Sequence, residues 1–401
     1  MEVGRVVLSR IDPGKYAVGA SAAMLAVIIG VLANGLTAFV VPMEQAEGWT
    51  RASITGINSA GLVGLAVGSV VMPLLARNWT MRSIAMVSAV TTGFCLILSS
   101  QATAPWLLYA LFFVAGALGS GTVFAPIFVY VGSWFPRAAG LAIGITAAGQ
   151  ALGQGGVPFV AAWLIEAGGW RQAMLVLGLF ACLLVPLGAF LRQPPAASAA
   201  ASMPEPPIAG EVAVPLLALA VFLCCTCMAV PLMHAMPLMI GCGIAPIDAG
   251  SVMLVMLVAA IAGRIAYGKL CDLIDAKLSW LLASALQTVG VLAFLHFESL
   301  GGFLVFGIVY GFAYAGVMTS LLVATRVLTP VENKALWMGV VISVAWLGHA
   351  FGGFQAALSF DIADAYGPGF VIGALAGVGN LLTVGLLLWL ARPPARPPAL
   401  A

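Results

Sequence analysis

Twelve stretches of this chain read as apolar runs of membrane-crossing length. They lie at roughly 17–41, 53–75, 83–100, 106–133, 139–165, 171–191, 213–239, 248–270, 278–297, 301–328, 335–359 and 369–391. In hydrocarbon each backbone polar group must be satisfied inside its own element or a closed barrel. Barrel strands alternate in polarity over about ten residues, and these runs are longer and uniformly apolar. The expected fold class is therefore all-α and integral to a membrane. Composition agrees, with 62% hydrophobic and only 7% charged residues, where a soluble domain carries about 25% charged residues. A membrane enzyme would need His, Asp, Glu or Ser clustered near one face of the runs, and no such cluster is legible.

One break differs from the rest. "RQPPAASAAASMPEPPIAGE" (192–211) is rich in Pro, Ala and Ser and reads as a flexible cytoplasmic linker. It divides the chain into 1–191 and 212–401, six runs each. With the N-terminus inside, thirteen basic residues fall on the cytoplasmic side: Arg5, Arg10, Lys15, Arg77, Arg82, Arg137, Arg192, Lys269, Lys277, Arg326, Lys334, Arg392 and Arg396. Only Arg51 and Arg171 fall outside. That bias predicts both termini in the cytoplasm. The apolar stretch after the first basic residues is too long for a signal-peptide core, so no cleaved leader is expected. The halves also repeat: at an offset of 195, Pro42 falls on Pro237, Gly48 on Gly243 and Arg77 on Asp272. Paired six-helix repeats are a transporter architecture, with substrate held between the halves near the midplane.

One cation remains deep inside a run. Arg264 stands six residues before Leu270, about 9 Å from the expected helix end. An arginine at the bilayer centre costs about 2.5–3.5 kcal/mol on insertion scales, and intramembrane ionisable groups usually face cavities. No Asp or Glu lies in the interior of a run to neutralise it. The guanidinium fork matches a carboxylate in bidentate geometry, so anion binding is the expected role. The competing reading is an arginine satisfied by carbonyls or reaching the interface. His234 and His349 are the titratable groups available near a cavity; packing histidines are the plainer alternative. Gln150, Gln154, Trp346 and Gln355 interrupt other runs. Gly140/Gly144, Gly149/Gly153 and Gly348/Gly352 have the small-xxx-small spacing of close helix contacts. "CCTC" (224–227) reads as helix packing rather than a metal site. No cofactor or metal is expected.

Some stretches resemble a known family. "GKLCDLIDAK", with Gly268, Asp272 and Lys277, is similar to the loop signature of the major facilitator superfamily. The matching stretch of the first half, "PLLARNWTMR", has Arg77 where that family usually has aspartate; Arg82 closes it. "EGWTRA" (47–52), "GSWFPRAAGLAIGITAAGQALGQGGVPF" (132–159) and "PLMHAMPLMIGCGI" (231–244) resemble the monocarboxylate transporter and oxalate–formate antiporter branch. The resemblance implies the twelve-helix major facilitator fold. It places Arg264, four residues before Gly268, on a substrate carboxylate, and adds His234 as a family-like histidine. It implies that helices 1, 4, 7 and 10 line the cavity, which favours Asn34, Tyr130, Tyr310 and Tyr314. Gly268, Asp272, Arg77 and Arg82 become loop and gating positions. Two departures matter: Ala260 stands where some relatives carry a proton-coupling aspartate, and the eleventh helix lacks the lysine of oxalate exchangers.

The expected function is secondary transport of a small organic anion, a monocarboxylate, by alternating access, with proton linkage. The protein is expected to act as a monomer in the inner membrane and not as an enzyme. Its partners are the substrate, protons and lipid, with no nucleic acid. The alternatives are an oxalate–formate type exchanger, an efflux pump for hydrophobic compounds, and a non-transporting membrane sensor.

Overall fold

A computed structural model describes residues 13–33, 35–49, 51–75, 78–194, 206–332 and 334–391. Asn34, Arg77 and positions 195–205 of the expected linker lie outside the described residues. Among those residues eleven helical runs are long and apolar enough to cross a membrane. One of them, Ala139–Phe190, is 52 residues long. Gly169 breaks it with φ 79° and ψ 170°, a conformation open to glycine and not to a β-carbon. Twelve crossings result, as hydropathy predicts.

The crossings are α1 (Pro13–Ala33), α2 (Arg51–Leu75), α3 (Met81–Ser99), α4 (Pro105–Trp134), α5 (139–168), α6 (170–190), α7 (Gly210–Gly241), α8 (Pro246–Leu273), α9 (Ala276–Ala293), α10 (Leu300–Leu328), α11 (Lys334–Ala363) and α12 (Gly367–Leu390). Local chemistry marks several starts. The Ser83 N–H donates to the Thr80 side chain ahead of α3, the Lys277 N–H to Asp275 ahead of α9, and the Gly302 N–H to Ser299 ahead of α10. Each satisfies an amide that a helix end leaves orphaned. Pro105 and Pro246 occupy first-turn positions, where a missing N–H costs nothing.

Packing repeats between the halves. The pair α1–α5 is matched by α7–α11, and α2–α4 by α8–α10. Across the halves, α5 packs on α8 and α2 on α11. The residues after α1 and after α7 carry the same left-handed glycine, Gly48 at φ 68° and Gly243 at φ 83°. Their separation is the repeat seen in the sequence. The small-residue pairs lie in helix contacts. A β-carbon on Gly149 or Gly153 would collide with the Ala22 and Ala26 backbone, and one on Gly348 or Gly352 with Phe222 and Thr226.

At one end of the molecule the halves meet tightly. Gly140 and Gly144 of α5 pack on Gly268 and the Arg264 carbonyl of α8. The Asp272 carboxylate accepts the Gly140 N–H at 2.7 Å and the Leu141 N–H at 2.9 Å. It thus caps the N-terminus of a helix from the other half, where a negative charge also complements the helix dipole. At the opposite end Glu47 of "EGWTRA" pairs with Arg171 at 3.0 Å and accepts the Trp170 indole N–H at 3.2 Å. This ties the exit of α1 to the start of α6.

Candidate functional site

A cavity of about 460 Å³ lies between the halves. Helical periodicity explains its lining. Gln150 and Gln154 share a face of α5, Leu257 and Arg264 a face of α8, and Tyr314, Met318 and Leu321 a face of α10. On α11, Ile342, Ala345, Trp346 and His349 follow the same spacing. Asn58 and Leu62 of α2, Phe124 of α4 and the Cys225–Met233 segment of α7 complete it.

Arg264 is 2% exposed. Its Nη1 donates to the Ala147 carbonyl at 2.7 Å and to Gln150 Oε1 at 3.1 Å, both on the opposing half. Its Nε has no hydrogen-bond partner among the described residues. No ion pair involving Arg264 exists among the described residues, and no acidic side chain lines the cavity. The guanidinium is therefore tethered on one nitrogen, charged, and short of acceptors. A buried cation in that condition attracts an anion.

Two other expected site residues reach the cavity with it. Tyr314 lies within electrostatic reach of Arg264. His349 lies against the Trp346 ring, edge to face at 5.9 Å. The remaining expected residues lie elsewhere. His234 Nε2 sits 2.9 Å from the Gly353 carbonyl, with its ring beside Tyr366. Tyr130 donates to the Arg192 carbonyl at 2.7 Å, at the end of α4. Tyr310 is buried among Phe294, Phe306 and Tyr314. Gly268 and Asp272 form the tight α5–α8 contact, and Arg82 is exposed at the start of α3. Asn34 and Arg77 lie outside the described residues.

Asn58 is a cavity residue that sequence reasoning did not single out. Its only signal was an amide inside the second apolar run. Gln150 was visible as a polar interruption, but its partnership with Arg264 needs the α5–α8 crossing. Four methionines, Met228, Met233, Met253 and Met318, also face the cavity. In sequence a methionine there is indistinguishable from packing.

Residues 23–300 match the profile of the Major Facilitator Superfamily. A Bos taurus protein named monocarboxylate transporter 13 is 25% identical over 391 residues, covering 93% of this chain and 89% of that relative. Monocarboxylate transporter 12 of Homo sapiens is 39% identical over 97 residues, which is 24% of this chain and 19% of that one. Among solved structures, the proton:xylose symporter XylE bound to 6-bromo-6-deoxy-D-glucose superposes with TM-score 0.72 at 13% identity, over 93% of this chain and 95% of that one. The transporter FucP in the outward conformation gives TM-score 0.70 at 12% identity, over 92% and 99%.

Proposed function

The chain belongs to the Major Facilitator Superfamily and is a multi-pass membrane transporter, not an enzyme; on that premise we propose that it carries a small monocarboxylate by alternating access. The observation that carries this reading is Arg264, a buried cation with an unpartnered Nε beside a cavity between the halves. Relatives named monocarboxylate transporters support the same substrate class. A carboxylate on Arg264 makes the loaded site neutral, which lowers the cost of moving it through a low-dielectric enclosure. The α5–α8 contact at Gly140, Gly268 and Asp272 then acts as a gate. The excess of basic residues on that side supports a cytoplasmic gate and cytoplasmic termini. The halves 1–191 and 212–401, joined by the linker 192–211, are the moving bodies, and one chain suffices.

Proton linkage is the preferred energy source. No carboxylate lines the cavity among the described residues, so His349 is its titratable relay. A second reading, anion exchange, is favoured by Arg264 itself. The empty carrier must reorient with an uncompensated cation, whereas the loaded carrier is neutral, so only loaded forms would cross easily. Proteoliposome uptake separates the two. Proton linkage predicts uptake into empty vesicles when the outside is acidified, lost in His349→Gln. Uptake that ignores the pH gradient and requires internal anion would establish exchange instead. Uptake of uncharged hydrophobic compounds that survives Arg264→Ala would replace both readings with hydrophobic efflux.

A further inference from the structure

The cavity is much larger than the carboxylate that Arg264 would hold. At about 30 Å³ per water in the liquid, 460 Å³ corresponds to about fifteen waters. A three-carbon acid displaces about four of them. Its remaining volume is bounded by an apolar wall: fifteen of the 21 lining side chains are apolar. Small acids would leave most of that wall facing water, with no hydrophobic gain.

The wall has a particular chemistry. Trp346 is fixed edge to face between Phe124, at 6.1 Å, and His349, at 5.9 Å. Around the same cavity stand Met228, Met253 and Met318. Thioethers are polarizable, adapt to irregular shapes and make favourable contacts with aromatic rings. A held indole and several methionines suit a flat, polarizable body better than a short polar one. The charge pattern adds a second restriction. Arg264 supplies one cation, and no acidic side chain lines the cavity among the described residues. An α-ammonium group would enter without a counter-charge and lose its hydration.

We infer that the substrate is an aryl-tailed monocarboxylate without an amino group, its carboxylate on Arg264 and its ring in the Trp346–methionine part of the cavity. This rests on the carboxylate reading of Arg264 and narrows it. The test is calorimetric titration of the purified full-length protein with propanoate, lactate, 3-phenylpropanoate, phenylalanine and 3-phenylpropanamide. Burying the added ring predicts that 3-phenylpropanoate binds about thirty-fold tighter than propanoate (about 2 kcal/mol). Phenylalanine and the amide should each bind at least about ten-fold more weakly than 3-phenylpropanoate. Trp346→Leu and, separately, Met318→Ala should narrow the gap between 3-phenylpropanoate and propanoate. The ligand series on the unaltered protein stands even where a variant folds poorly. Lactate or propanoate binding as tightly as 3-phenylpropanoate overturns this inference and leaves the carboxylate reading intact. Phenylalanine binding as tightly as 3-phenylpropanoate overturns it as well. An amide that binds as tightly as the acid removes the carboxylate reading and this inference together.

Discussion

At the scale of single residues, the site rests on how Arg264 is held. Nη1 is tied to the opposing half by the Ala147 carbonyl and by Gln150, while Nε has nothing. Gln150 therefore aims the guanidinium. Hydrogen bonds to charged groups contribute about 1.5–3 kcal/mol, so Gln150→Leu should weaken carboxylate binding about ten-fold. Titration calorimetry measures this, and unchanged affinity would reduce Gln150 to a space-filling role. Arg264 was legible in the sequence because a cation inside an apolar run has few explanations. The tyrosines and histidines were not separable there, since helix phase within the assembled bundle decides where each points. Tyr310 and Tyr314 are one turn apart on α10, and their rings stack at 5.8 Å. Yet Tyr314 faces the cavity while Tyr310 is packed among phenylalanines.

At the scale of elements, hydropathy revealed the crossings because each needs a long apolar run. The break around Gly169 was also legible, as the gap between the runs 139–165 and 171–191. The π-helical turn Ala115–Ser120 in α4 was not. Gly116 lies so close to the Gly61 backbone of α2 that no β-carbon fits between them. That close approach is a tertiary contact without local signature. The α5–α8 contact lies between these cases. The sequence marked Asp272 as a loop-signature aspartate, but its acceptance of two amides at the start of α5 emerges only from the assembled halves. A carboxylate at a helix N-terminus contributes about 1 kcal/mol in a partly buried setting. Asp272→Asn keeps the size and removes the charge. It should shift the balance between closed and open forms of that face about five-fold toward open. Distance distributions between spin labels at 137 and 269, on a cysteine-depleted background, should show a growing longer-distance population. An unchanged distribution would mean that helix packing alone closes this face.

At the scale of the whole molecule, the paired halves flank a cavity whose one cation among the described residues is the buried Arg264. A second carboxylate would stay uncompensated there, so matched monocarboxylates should outcompete dicarboxylates. Propanoate should displace a bound acid at lower concentration than malonate does; malonate preference would point to an anion-binding group besides Arg264. The architecture was legible because the 195-residue repeat and the apolar runs both point to paired six-helix halves. The size of the cavity was not, because it depends on how far apart the halves stand. The account centres on Arg264 as the carboxylate anchor. Calorimetric titration of 3-phenylpropanoate and propanoate into the unaltered protein, Arg264→Ala and Arg264→Lys tests it most directly. Arg264→Ala should lose binding of both acids by at least about 100-fold. Arg264→Lys should also bind weakly, because an ammonium cannot reproduce the planar fork. Unaltered affinity in Arg264→Ala, in protein that remains folded, would contradict it.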